Sequence, residues 1–240
     1  MMYTFDTRVR YSETDANGKL TLESIIDYMQ DCTNFQSEDL GVGQEYYRQK
    51  QMVWVLNFWQ IIIDEYPPMG DWLTVGTQTF GYEKMFGYRN FLITGRDHPE
   101  ERIAIANSLW VLMDLAKGRP MIVPPEVGDV YGKAEPLDMD YASRKIKVPK
   151  EGGRASEPFL VQEYHLDTNL HMNNGQYVRM AKAALGVNPA VRELRVEYRR
   201  EAVCGDRITP VIYALDDQYI VALNDDAAKP YAVVQLFVRG

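Results

Sequence analysis

The chain has 240 residues, 46% of them hydrophobic and 25% charged, and a formal net charge of −8. That is enough for one large domain or two of roughly 120 residues, and it is the composition of a globular protein rather than a disordered one. The acidic balance argues against nonspecific nucleic-acid binding, and no apolar run approaches the roughly 20 residues needed to cross a bilayer.

The first residues, Met1 to Arg8, have neither a secretory nor an organelle-targeting layout, so a cytoplasmic location is expected. Cys32 and Cys204 lie far apart and outside any CxxC spacing, which supports neither a disulfide scaffold nor a zinc ribbon. Reduced thiols are expected, with no cofactor and no metal. In chain order, Thr4–Tyr11 alternates like a half-buried strand. Apolar residues at Leu22, Ile25, Ile26 and Met29 then follow a helical period, predicting a helix over about 21–39 with Thr21 as its cap. Strands are predicted at Met52–Ile63, Trp72–Tyr82, Phe86–Thr94 and Arg102–Met113, separated by turn material such as Pro67-Pro68-Met69-Gly70-Asp71.

From Pro120 to about Pro158 the periodicity fades and Pro and Gly accumulate, which predicts a connecting segment between two domains. The boundaries read as 1–125, a linker over 126–156, and 157–240. The linker also holds Arg144, Lys145, Lys147, Lys150 and Arg154 against one acid, Glu151, and its bland reading is a solvated positive tether. Beyond it the order repeats, with a strand near Phe159–His165, a helix over Asn174–Leu185, and strands at Arg192–Ala202, Arg207–Ala214, Tyr219–Leu223 and Tyr231–Arg239. Residue-level similarity supports a duplication. Asp15-Ala16-Asn17-Gly18-Lys19 aligns with Asp167-Thr168-Asn169-Leu170-His171, and Gly70-Asp71-Trp72-Leu73-Thr74 with Gly205-Asp206-Arg207-Ile208-Thr209. The predicted fold is α+β: two copies of a long helix wrapped by an antiparallel sheet.

Chemistry concentrates in the second copy. Where the first has Lys19 the second has His171, and of the two residue types only histidine titrates near neutrality. Asp167 and Asn169 can fix neighbouring groups by hydrogen bonds, and Asn169 can donate to an oxyanion. Taken alone, D-x-N-x-H is a weak pattern that reads as an Asx-rich turn leading into a helix capped by Asn173 or Asn174. Glu201, at the end of Val196–Glu201, is expected either to point inward beside His171 or to form a surface ion pair with Arg199 or Arg200.

The run Leu166–Tyr177, with Tyr198-Arg199-Arg200-Glu201, resembles the acyl-acyl carrier protein thioesterase family, and the resemblance covers nearly the whole chain. It implies two tandem hotdog domains and hydrolysis of fatty acyl-carrier-protein thioesters to free fatty acid. Asp167, Asn169 and His171 match the family's active-site loop and Glu201 the Glu of its following strand. The residue after that Glu is often Cys in the family. Here it is Ala202, which disfavours a thiol nucleophile, and Cys204 does not replace it. His165 departs from the family pattern and reads as a partly exposed strand residue. Thioester hydrolysis needs an activated water and a stabilised oxyanion, so His171 and Glu201 are expected to activate the water, Asn169 and backbone N–H groups to hold the oxyanion, and Asp167 to orient the loop, with direct attack by the Glu201 carboxylate as the alternative.

It further implies that the first copy houses the acyl chain among residues such as Ile25, Ile26, Met29, Val53, Trp54, Val55 and Phe58. The carrier protein is acidic, so Arg179, Lys182, Arg199, Arg200 and the linker cations are candidate docking charges. The chain is expected to act as a monomer or a homodimer, with no nucleic acid or membrane partner. Rival readings are an acyl-coenzyme A thioesterase, a hydratase or dehydratase of the same fold, and a non-catalytic acyl-binding protein.

Overall fold

The computed structural model describes residues 2–239. The chain divides into two compact units. Unit 1 runs to Asn57 and resumes over Ile61–Tyr141, and unit 2 takes Phe58–Gln60 and everything from Ala142 onward. The division at Tyr141 falls within the segment predicted to connect two domains.

Unit 1 contains β1 (Tyr3–Arg8), α1 (Leu22–Asp39), α2 (Gln44–Gln49), most of β2 (Met52–Ile63), β3 (Trp72–Glu83), β4 (Phe86–Gly95), β5 (Arg102–Asp114), β6 (Arg119–Pro120) and α3 (Pro125–Tyr131). Its sheet runs in the order β1-β3-β4-β5-β2, with β6 added to β5. The β1–β3, β3–β4 and β4–β5 pairs are antiparallel, the last two as hairpin connections dictate. Helix α1 starts where predicted, since the Thr21 side chain accepts the Ser24 N–H at 3.2 Å. The apolar stripe Leu22, Ile25, Ile26 and Met29 is fully buried and α1 packs on β3. Each of these side chains contributes roughly 1.5–3 kcal/mol by leaving water.

Unit 2 contains β7 (Arg154–Ala155), β8 (Phe159–Leu160), α4 (Asn174–Leu185), β9 (Val191–Tyr198), β10 (Arg207–Leu215), β11 (Gln218–Asn224) and β12 (Pro230–Val238). The sheet order is β9-β12-β11-β10-β7, antiparallel throughout, and β8 pairs with β10. The Asn173 side chain caps α4 by accepting the Gly175 N–H at 2.8 Å, and Gly186 closes the helix at φ +72°. Tyr177, Val178, Ala181 and Leu185 form its buried face, against β10, β11 and β12.

Four local features differ from the sequence expectations. The six-residue α2 has no apolar period to announce it. The seven-residue α3 sits where Pro124-Pro125 reads as turn, although Pro125 at the first helical position and Gly132 at φ +68° after its end are helix signals. The strand expected over Phe159–His165 is only Phe159–Leu160, followed by a 3-10 turn over Glu163–His165. Strand β9 stops at Tyr198 rather than Ala202, because the N–H groups of Arg199 and Arg200 both donate to Tyr231 O, at 2.8 and 3.1 Å, and the chain leaves the ladder.

The connecting segment has little regular structure beyond α3, yet hydrogen bonds fix its path. Leu137 N–H and Tyr141 OH both donate to Asn90 Oδ1, each at 3.0 Å, and Ile146 N–H donates to Glu197 at 3.1 Å.

Candidate active site

The Asp167–His171 run is a closed five-residue loop. Asp167 N–H donates to His171 O at 2.7 Å and Leu170 N–H to Asp167 O at 3.0 Å. The Asp167 carboxylate then accepts the N–H groups of Asn169 at 2.8 Å and His171 at 3.2 Å. Closing the ring demands a left-handed residue, and Leu170 takes it at φ +63° while 71% exposed. Asp167 therefore builds the loop that presents Asn169 and His171. Asn169 is exposed and His171 half-buried.

The aligned loop of unit 1 has the same wiring. Asp15 N–H donates to Lys19 O at 2.8 Å, Gly18 takes the left-handed position at φ +70°, and the Asp15 carboxylate accepts Asn17 and Lys19 N–H at 2.8 and 3.0 Å. The second aligned pair matches as well. Val9 N–H donates to Asp71 O and Val9 O accepts the Gly70 N–H, as Val161 does with Asp206 and Gly205. A third loop of this type occurs at Asp225–Lys229, with Ala228 at φ +58° and the Asp225 carboxylate accepting Ala227 and Lys229 N–H at 2.9 and 2.8 Å. The aspartate is thus a general device for closing this loop, and what distinguishes the second copy is the side chains it displays.

The partner of His171 arrives from the segment after β9. Met172 N–H donates to Ala202 O at 2.8 Å, and Ala202 N–H donates to the Tyr177 hydroxyl of α4 at 2.9 Å. These two bonds hold the chain beside the loop and set His171 Nε2 3.4 Å from Glu201 Oε2. In unit 1 the equivalent bond runs from Leu20 N–H to Pro67 O at 2.8 Å, so Lys19 and Tyr66 stand where His171 and Glu201 stand here. Unit 1 therefore lacks both members of the pair.

Of the two placements expected, Glu201 takes the one beside His171, but it does not point inward from a strand. It lies past the end of β9 with its side chain 47% exposed, because that strand has already left the sheet. Nor does it pair with the adjacent arginines. Arg199 bonds Glu197 at 2.9 Å and Arg200 bonds Asp225 at 2.8 Å.

Ala202 is buried, and Cys204 sits in an exposed turn as a free thiol. His165 is a turn residue whose Nδ1 accepts the Gln162 N–H at 3.0 Å. This is the role Glu13 plays in unit 1, where its carboxylate accepts the Arg10 N–H at 2.8 Å. Burial, and then the charge of Arg179, lower the His165 pKa and favour the neutral ring that can accept this bond. Sequence reading overlooked Tyr177. Its signal was a tyrosine on the buried face of a helix, whose hydroxyl must find a partner.

The geometry is that of an α+β protein with large antiparallel sheets, few helices, and a histidine–carboxylate pair at the start of a buried helix. The family model of the acyl-ACP thioesterase N-terminal domain matches residues 1–131, more than half of the chain. The chain belongs to the acyl-ACP thioesterase family. It is 25% identical over 214 residues to the chloroplastic palmitoyl-acyl carrier protein thioesterase of Arabidopsis thaliana, an alignment covering 82% of this chain and 51% of that protein. The chain spans about half the length of the curated relatives it matches.

Among solved structures, an acyl-ACP thioesterase from Bacteroides thetaiotaomicron superposes with a TM-score of 0.87 at 21% identity, covering 99% of this chain and 98% of that one. A 12:0-ACP thioesterase from Umbellularia californica superposes at 0.88 with 18% identity, covering 99% and 97%. The chain shares their fold. Among the described residues no helix is long and apolar enough to cross a membrane.

Proposed function

We propose that this chain hydrolyses fatty acyl-acyl carrier protein thioesters in the cytoplasm, releasing free fatty acid in fatty acid biosynthesis. The observation that carries the reading is the 3.4 Å approach of His171 Nε2 to Glu201, in the one copy of the repeated loop that has both residues. Glu201 orients the imidazole through Nε2, which leaves Nδ1 to take a proton from water as that water attacks the thioester carbonyl carbon. The Asn169 amide and backbone N–H groups at the start of α4 stabilise the oxyanion. When the tetrahedral intermediate collapses the C–S bond breaks, and the thiolate leaves with the proton returned by the imidazolium. Asp167 holds the loop in shape.

In this reading the chain is two tandem hotdog domains. Residues 1–125 accommodate the acyl chain, 157–240 carry the chemistry, and 126–156 connect them. The acidic carrier protein docks on exposed cations, for which Arg179, Lys145, Lys147, Lys150 and Arg154 are the candidates. Arg199 and Arg200 are engaged with Glu197 and Asp225 and contribute less. The chain acts as a monomer or a homodimer.

Carrier-bound and coenzyme A-bound acyl groups offered at equal concentration, with released thiol followed over time, test the proposal. Preferential hydrolysis of the carrier-bound substrate, weakened by salt, is expected. Equal or better hydrolysis of the coenzyme A ester would make the chain an acyl-coenzyme A thioesterase, and binding without thiol release would make it an acyl-binding protein.

A further inference from the structure

The interior of unit 1 holds a cation that the proposed reaction does not use. Arg89, on β4, is 6% exposed. Its Nη1 donates to Gln36 Oε1 of α1 at 2.5 Å and to Thr77 Oγ1 of β3 at 3.1 Å, and its guanidinium lies 5.0 Å from the Tyr131 ring centroid. The polar groups facing it are Tyr131, Tyr82, Cys32 and Tyr47, and among the described residues no carboxylate forms an ion pair with it.

Nor do Tyr47, Tyr82 and Cys32 supply a negative charge. Burial raises the pKa of the Tyr47 and Tyr82 phenols and pushes the Cys32 thiol up to about 12, so all three stay protonated at neutral pH. An arginine cannot relieve its own burial by losing a proton, because the guanidinium is effectively always charged. A buried charge without a counter-ion is costly, and that cost falls when an anion meets it.

The hydroxyls of Tyr47, Tyr131 and Ser37 are already committed. Trp54 Nε1–H donates to Tyr47 OH at 3.0 Å, the Tyr47 and Tyr131 hydroxyls are 3.0 Å apart, Tyr131 and Ser37 are 3.0 Å apart, and Ser37 donates to Thr33 O at 2.9 Å. An indole N–H only donates and a carbonyl only accepts, so the two ends fix the direction of the chain and each hydroxyl proton is in use. Both protein bonds of Arg89 come from Nη1, which leaves Nε and Nη2, two parallel donors of the guanidinium fork, to donate to a ligand. Beside this polar chain, Tyr47 and Trp54 pack on the apolar cluster of Met52, Leu112 and Val127. Planar paired donors call for a carboxylate, and the apolar cluster beside them favours one carried on an aliphatic body.

We propose that Arg89 anchors a binding site within unit 1 for a carboxylate carried on an aliphatic chain. Two sources share this chemistry: a free fatty acid, which is the product of the proposed hydrolysis, and the distal carboxyl of a dicarboxylic acyl substrate. The site itself rests on unit 1 alone, and only the naming of these sources rests on the hydrolase reading.

The test uses the full chain and laurate labelled with ¹³C at its carboxyl, with dodecanol as the uncharged control. Two variants are compared with wild type. Arg89→Gln removes the charge, and Gln36→Glu places an internal carboxylate where Arg89 already donates. Wild type binds laurate with its carboxylate resonance shifted, both variants bind it about tenfold or more weakly, and dodecanol binding changes little.

If Arg89→Gln fails to fold, the isosteric Gln36→Glu decides, since it supplies the missing counter-ion and keeps the packing. Laurate binding that is absent in wild type, or equal in wild type and Gln36→Glu, overturns the proposal. A His171→Ala variant that binds laurate like wild type keeps this site separate from the hydrolase reading, whichever way its turnover behaves. Relative turnover of ω-carboxydecanoyl and decanoyl thioesters names the source. Selective loss of the former in Gln36→Glu identifies the substrate's distal carboxyl, and an unchanged ratio identifies the free acid.

Discussion

Replacing Asp167 by alanine separates the architecture of the loop from its chemistry, because unit 1 provides a matched control. The Asp167 carboxylate accepts two N–H groups at 2.8 and 3.2 Å, and Asp15 accepts two at 2.8 and 3.0 Å in a loop of the same shape. A hydrogen bond to a charged acceptor contributes roughly 1.5–3 kcal/mol when buried, but in these exposed loops water replaces much of it. A loss of about 1–2 kcal/mol is expected for either Asp167→Ala or Asp15→Ala. In a chain of this size that lowers the melting temperature by roughly 2–8 °C.

Only Asp167→Ala disturbs the placement of His171, and a displacement of about 1 Å at a catalytic group costs roughly 10²-fold in rate. Thermal unfolding followed by circular dichroism, together with thiol release from acyl carrier protein substrates, reads both quantities. Similar stability losses with a rate loss confined to Asp167→Ala are predicted. Equal rate losses in the two variants, or wild-type turnover in Asp167→Ala, would refute the reasoning.

Tyr177→Phe leaves the buried Ala202 N–H without its acceptor, costs about 1–3 kcal/mol in denaturant unfolding, and lowers turnover because Glu201 is the neighbouring residue. Leu170→Gly relieves a left-handed leucine, a gain of about 1–2 kcal/mol partly offset by glycine's greater freedom in the unfolded chain; a slightly raised melting temperature is expected. His165 has a folded pKa below its unfolded value, so the stability it contributes is present above about pH 6.5 and is lost as pH falls through the folded pKa. The melting-temperature advantage of wild type over His165→Asn should therefore shrink between pH 7.5 and pH 5, and an advantage that grows on acidification would contradict this.

Elements with a strong period were legible in the sequence. The stripe Leu22, Ile25, Ile26 and Met29 gave α1 to within a residue, and strands β2 to β5 agree with their predicted runs to within a residue or two. The turn signals Gly18 and Gly70, with their counterparts Leu170 and Gly205, marked the repeated loops because the chain needs left-handed residues there. Elements whose geometry comes from tertiary hydrogen bonds were not legible. The end of β9 depends on two N–H groups converging on Tyr231 O, and the turn at His165 on a side chain accepting a backbone N–H.

The candidate site divides in the same way. Asp167, Asn169 and His171 share one local loop, whose repeat in the first half and whose resemblance to the family's loop single them out in the sequence. The approach of Glu201 to His171 is set by the Met172–Ala202 and Ala202–Tyr177 bonds, which link segments that no local pattern relates.

Single-turnover hydrolysis of a fatty acyl-acyl carrier protein by His171→Ala and Glu201→Gln, each verified as folded, tests the central claim most directly. The histidine–carboxylate pair predicts that either change lowers the rate roughly 10²–10⁴-fold, and that the double variant is little slower than the slower single one, since the two residues act as a unit. Wild-type turnover in His171→Ala, or losses that multiply fully in the double variant, would contradict it.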